Sequence, residues 1–328
     1  MERAIEKRRV PILAIAAVLW AGPAVCWSQG FPLKPVRYVV PFGAGGSPDI
    51  VARLIAERLT RLWGQQVIVE NRVGVAGTMG TAFVAKSPPD GHTLVQCNVA
   101  SSGIAVSLFA KMPYDQLRDI AAIARIGRMP NVITVHPSVP FRSMKELVAY
   151  AKSNPGKLSV ATGLVGTSPQ LSMELINLMA KVDLVNIPYK IGAQGMSDTV
   201  AGQVPIGIFN LPGMVAPVQG GRLRALAVTS AKRVSQLPEV PTMQEAGFPG
   251  YEVTSWYGVC GPAAIPPALL DKLHADINTV LGSPEMQHRL GELLGEATPV
   301  SREEFDQFIR AEVAKWAQVV RDAKIPLQ

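Results

Sequence analysis

Residues 36–55 read Val36-Arg37-Tyr38-Val39-Val40-Pro41-Phe42-Gly43-Ala44-Gly45-Gly46-Ser47-Pro48-Asp49-Ile50-Val51-Ala52-Arg53-Leu54-Ile55, and this stretch decides the fold. Its β-branched start at 37–41 predicts a strand, and Gly43 to Gly46 predict a tight turn. Beyond the turn, Ile50, Val51, Leu54, Ile55 and Leu59 fall on one face of a helix. Ser47 is placed as its N-cap, with Pro48 at the first helical position. Strand, glycine turn and helix in that order are the opening unit of a parallel α/β sheet.

Outward from this unit the alternation continues. A strand at 66–69 leads into a second glycine-rich turn at Gly74, Gly77 and Gly80, then a helix through 82–85 and a strand at 92–97. A strand near 133–135 precedes a helix capped by Ser143 and stopped at Asn154-Pro155-Gly156. Further strands are expected at 159–161, 185–187, 206–208 and 225–229, and helices at 267–281, 285–294 and 302–323. The length suits two domains. No low-complexity linker divides them, so the chain is expected to cross between lobes twice, near 129–131 and 251–255. Lobe 1 would then hold 29–130 plus 254–328, and lobe 2 would be the inserted segment 131–253.

The amino terminus assigns a compartment. Arg3, Lys7, Arg8 and Arg9 precede an apolar run at 11–25, and small residues follow in Trp27-Ser28-Gln29-Gly30, so 1–28 reads as a signal peptide cut near Ser28. Two rival export readings stay open: Cys26 as a lipoprotein cysteine, although Ala24-Val25 before it fits poorly, and Arg8-Arg9 as a twin-arginine signal. No later segment is long and apolar enough to span a bilayer. Removing 1–28 lowers the formal charge from +7 to +5. The basic residues are scattered without runs or interleaved aromatics, so nucleic acid is not implied. Of the three cysteines, Cys97 and Cys260 stay in the mature chain. Two buried thiols in apolar strands are the favoured reading and a bridge the alternative, because sequence does not supply the Cα separation.

Most enzyme chemistry lacks its residues. His92, His136, His274 and His288 have no ligand spacing, so no metal site is expected. The hydrolase elbow has one imperfect look-alike, Gly166-Thr167-Ser168-Pro169-Gln170, and no phosphate-loop signature occurs. A dinucleotide fingerprint fails at its third glycine, where Pro48 stands, so no cofactor is expected.

The glycine turns keep a physical meaning without a nucleotide. They let backbone approach an anion closely, and the free N–H groups at a helix start present partial positive charge to it. The bland alternative is a plain strand-to-helix turn. The turn at Gly74-Val75-Ala76-Gly77-Thr78 repeats the device, and Thr162-Gly163-Leu164-Val165-Gly166-Thr167-Ser168 is a third candidate in the presumed second lobe. In an open α/β sheet such loops face one crevice beyond the strand ends.

Taken with Val69-Glu70-Asn71-Arg72, Pro89-Asp90-Gly91-His92-Thr93-Leu94, Ile187-Pro188-Tyr189-Lys190, Ala201-Gly202-Gln203-Val204 and Leu237-Pro238-Glu239-Val240-Pro241-Thr242, these loops make the mature chain resemble the periplasmic solute receptors of tripartite tricarboxylate transporters, the Bug proteins. The resemblance implies a type II periplasmic-binding-protein fold, two α/β lobes with a ligand cleft between them, and no catalysis. It implies a carboxylate clamp at Phe42, Ala44, Gly45, Gly46, Ala76, Gly77 and Thr78. Discriminating residues would be Thr162, Gly166, Thr167, Ser168 and Asp198, with Asn98, Ser101 and Asn210 in reserve. The chain departs from the family at Gln170, where a histidine is frequent, and at Lys190-Ile191, where Lys-Gly is frequent. The expected function is capture of a small organic carboxylate and its delivery to the membrane permease, with carboxylate sensing for a signalling partner as the alternative. A secreted enzyme would need a nucleophile, base or metal that the sequence does not offer. A monomer is the default expectation.

Overall fold

The computed structural model describes residues 30–189, 192–295, 297 and 299–327. The signal peptide expected over 1–28, Cys26, Lys190 and Ile191 lie outside the described residues. The deciding stretch forms β1 (Val36–Val40) and α1 (Ser47–Trp63). The helix starts one residue earlier than expected. Gly46 has extended backbone and its carbonyl accepts the Ile50 N–H, so Gly46 is the N-cap. Ser47 and Pro48 are the first two helical residues, and the Ser47 hydroxyl caps nothing.

The chain continues through β2 (Val67–Asn71), α2 (Thr78–Ala85) and β3 (Thr93–Asn98), then a π-helical turn at Ala100–Ile104 that runs into α3 (Ala105–Leu108). After α4 (Gln116–Asp119) comes β4 (Ile120–Val135), followed by α5 (Met144–Ser153), β5 (Leu158–Thr162), α6 (Ser168–Ala180) and β6 (Leu184–Pro188). Next are α7 (Gly192–Val200), β7 (Ile206–Asn210), α8 (Leu211–Gln219), β8 (Arg224–Val228) and β9 (Thr254–Pro262). The chain closes with α9 (Pro267–Leu281), α10 (Pro284–Leu294) and α11 (Arg302–Asp322).

The strands lie in the order β2-β1-β3-β9-β4-β7-β5-β6, with β8 also paired to β4. β1, β2 and β3 run parallel, as do β5, β6 and β7. Between these groups stand β9 and the 16-residue β4, which are antiparallel to each other. β4 pairs with β9 from Ile120 to Pro130, then with β7 and β8 from Asn131 onward. The expected strand near 133–135 is only its far end. Ala121, Ala122, Ala124, Gly127 and Pro130 are poor strand formers, and pairing to β9 overrides their propensity.

Both faces of the sheet are covered. In β1, Val36, Tyr38 and Val40 pack with Ile55, Leu59, Leu273 and Ile277 of α1 and α9, while Val39 points to the opposite core with Cys97 and Trp256. In β7, Ile208 and Phe209 likewise divide between two cores. This period of two with both sides apolar is what a sheet sandwiched between helices demands.

The reading of Cys97 and Cys260 as free thiols is corrected. They are disulfide-bonded, with Cα atoms 5.8 Å apart. β3 and β9 are antiparallel neighbours, Val95 opposite Cys260 and Cys97 opposite Gly258, which places the two cysteines within bridging reach. Their sequence separation of 163 conceals this pairing.

Candidate functional site

Four strands send their carboxyl ends to one cavity of about 210 Å³. Phe42, Ser47 and Pro48 reach it from beyond β1, and Asn98 from the end of β3. Gly163, Thr167 and Ser168 reach it from beyond β5, Phe209 and Asn210 from the end of β7, and Ser255 and Tyr257 from β9. The crevice beyond the strand ends is where open α/β sheets bind ligands.

Its walls present donors. α1, α6 and α8 begin here, and their N-caps Gly46, Thr167 and Asn210 make no side-chain capping hydrogen bond. By contrast Ser143, Ser283 and Ser301 cap α5, α10 and α11 away from the cavity. Each uncapped helix start leaves N–H groups for an anion. The Tyr257 residue is 6% exposed, and its hydroxyl has no hydrogen-bond partner among the described residues. Burial drives its pKa up, so the phenol stays a neutral donor.

Behind the cavity lies a buried polar network. The Ser168 and Ser255 hydroxyls are 2.7 Å apart, and the Asn210 amide donates to Ser255 Oγ at 2.9 Å and to Asn131 Oδ1 at 3.0 Å. The Asn131 amide donates to Ser172 Oγ at 3.2 Å, and the Asn131 backbone N–H donates to Thr229 Oγ1 at 2.7 Å. The network ties α6, β7 and β9 to the point where β4 changes partners.

A second compartment of about 590 Å³ abuts the first and shares Phe42, Ala100 and Thr167 with it. Val73, Val75 and Ala76 line it on one side and Leu164, Val165 and Gly166 on the other. The two loops meet closely: a methyl at Gly166 would lie 3.8 Å from the Ala76 Cβ and 3.2 Å from Leu108. Ala76 has a φ of 49° and Gly77 a φ of 83°, left-handed backbone that a non-glycine residue adopts at a cost.

Of the residues predicted from sequence, Phe42, Asn98, Thr167, Ser168 and Asn210 line the polar cavity, and Ala76 and Gly166 join Phe42 and Thr167 on the second. The others line neither. Ala44, Gly45 and Gly46 form the exposed turn before Ser47, and the Gly45 amide donates to Asp49 Oδ2 at 2.9 Å. The Thr78 hydroxyl donates to the Val75 carbonyl, and Gly77 N–H to the Gly74 carbonyl. Ser101 is buried in the π-helical turn that the Asn98 side chain caps. Thr162 donates to Asn186 at 2.7 Å, tying β5 to β6, and Asp198 accepts from Tyr189 and Gln194.

Asp49 is what shapes the first loop. The Arg53 guanidinium, with the Gly45 and Asn71 N–H donors, holds its carboxyl at about 2 despite burial. In the third loop Gln170 does similar work, accepting from Gly166 N–H and donating to Glu174, whose carboxyl burial pushes upward. Sequence reasoning missed Ser47 as a lining residue, together with Phe209, Ser255 and Tyr257. The last two share one face of β9 by strand alternation. The placement of a crossing at 251–255 was the available signal.

The chain matches the family described as "Tripartite tricarboxylate transporter family receptor" over residues 51–325. It is 34% identical to protein BugT of Bordetella pertussis over 301 residues, 91% of this chain and 92% of that one. Rpa4515 of R. palustris, solved with adipate, superposes with a TM-score of 0.80 at 35% identity, covering 90% of this chain and 99% of that one. MatC of Rhodopseudomonas palustris, solved with bound malate, gives 0.77 at 31% identity, covering 88% and 100%. A family match across most of the chain, with relatives above 30% identity along nearly their full lengths, means that this protein belongs to the tripartite tricarboxylate transporter receptor family and shares the two-lobed fold of its Bug members.

Proposed function

We propose that this receptor binds a small organic carboxylate in the cavity beyond β1, β3, β5 and β7 and delivers it to the membrane subunits of a tripartite transporter from the periplasm. The convergence on one cavity of three uncapped helix starts and a Tyr257 hydroxyl without a hydrogen-bond partner among the described residues is the observation that carries the reading. Such donors hold an anion without a counter-charge and keep its desolvation cost tolerable. Lobe 1 comprises 29–130 with 254–328, and lobe 2 comprises 131–253; the change of partners in β4 at Pro130 and Asn131 supports this division. Phe42, Asn98, Thr167, Ser168, Asn210, Ser255 and Tyr257 contact the ligand, and the turn at Ala44, Gly45 and Gly46 sets the angle of α1.

Thermal unfolding of refolded, ligand-free protein against a panel of carboxylates tests the proposal. Ligand at a hundredfold over its Kd should add about 2.7 kcal/mol, a rise on the order of several degrees. A flat response to every acid would reject it. Loss of uptake of the same acid on deletion of the gene would separate transport from sensing.

A further inference from the structure

We infer that the ligand is an amphipathic monocarboxylate, an acid whose body is an apolar ring or chain, and that the second compartment takes that body. The inference rests on the carboxylate-receptor reading above and adds the class of acid. The two compartments differ in chemistry. The smaller one gathers Ser47, Asn98, Ser168, Asn210, Ser255 and Tyr257, while in the larger one Thr167 is the only polar side chain among the described residues. Phe42 and Ala100 stand at their junction. One molecule spanning both must therefore be polar at one end and apolar at the other.

The apolar walls are bare. Val73 is 70% exposed, Val75 59% and Leu164 49%, and they belong to loops that face each other across the compartment. Large apolar side chains gathered bare around a cavity gain from a ligand that removes them from water. Charge points the same way. Among the described residues no lysine, arginine, histidine, aspartate or glutamate lines either compartment. A second carboxylate lying against the Val75, Leu164 and Val165 side chains would lose its hydration with no charged side chain among the described residues to replace it, whereas a methylene or ring gains. Each buried methylene should tighten binding roughly fourfold.

Hexanoate and adipate form the matched test, since they share a six-carbon chain and differ only at the far end. Titration calorimetry on ligand-free protein should show hexanoate, benzoate and cyclohexanecarboxylate each binding at least about tenfold more tightly than adipate, succinate or malate. Tighter binding of the dicarboxylates would overturn the inference and leave the receptor reading standing. No heat from any acid would defeat the receptor reading itself. Leu164→Lys and Val75→Lys, both at exposed side chains, should weaken hexanoate and strengthen adipate while unfolding at the wild-type temperature. Variants that leave the hexanoate to adipate ratio unchanged would also overturn the inference.

Discussion

The Gly45 amide donates to the Asp49 carboxylate at 2.9 Å, so the first glycine turn is fastened from inside its own helix. The same carboxylate receives Arg53 Nε and the Asn71 amide, each at 2.9 Å, which links the turn to β2. With its carboxyl held at about 2 in the folded protein, Asp49 stabilises the fold above the unfolded value of roughly 3.9, and the contribution fades as pH falls from there through about 2. Asp49→Asn should therefore cost about 2 kcal/mol at neutral pH. Denaturant unfolding should show the gap between variant and wild type closing between about pH 4 and pH 2. A gap independent of pH would assign the loss to packing.

Tyr257→Phe removes a hydroxyl that has no partner among the described residues, so the free protein should unfold at its usual temperature. Binding of the carboxylate should weaken by about 10- to 100-fold, the worth of a hydrogen bond to a charged group. Calorimetry and thermal unfolding on the same preparation check both halves. Unaltered affinity would remove Tyr257 from the site.

Asn131→Ala leaves the Asn210 and Ser168 groups of a buried network short of a partner, which should cost about 1–3 kcal/mol. Because Asn131 and Asn210 share one hydrogen bond, their double variant should cost less than the two single losses added. Chemical denaturation of the four proteins measures the coupling, and strict additivity would contradict it.

Titration of residues 29–328, which leave out Cys26, under denaturing, non-reducing conditions should find no free thiol, because Cys97 and Cys260 are paired. Replacing both by alanine should lower stability by about 2–4 kcal/mol. Two titratable thiols in the untreated protein would restore the free-cysteine reading.

The parts that could be read from sequence were those carried by local periodicity. α9 falls at Pro267–Leu281, as its apolar spacing predicts, and Ser143 caps α5 as expected. The turns at Gly43 to Gly46 and at 163–167 were legible because glycine between a strand and a helix has few other uses. What stayed hidden depends on long-range pairing. The first eleven residues of β4 are strand only because β9 lies against them, and Cys97 meets Cys260 only because β9 also lies against β3. Ser255 and Tyr257 reach the cavity by the same route. Neither carries a motif, so only the sheet order could bring them to Ser168 and Asn98. Asp198 and Thr162, by contrast, matched the family pattern but are engaged by neighbouring side chains, Tyr189 and Gln194 at Asp198 and Asn186 at Thr162.

The passage of β4 from one half of the sheet to the other at Pro130 and Asn131 has a mechanical meaning. No flexible tether joins the halves at this point; the joint is an unbroken strand laid against Thr254 of β9, and Pro130 has no N–H to lend to the ladder there. Any rocking of one half on the other is thus confined to torsion about a two-strand axle, which leaves little freedom to slide or to swing sideways. The Cys97–Cys260 rivet pins one strand of that axle to β3.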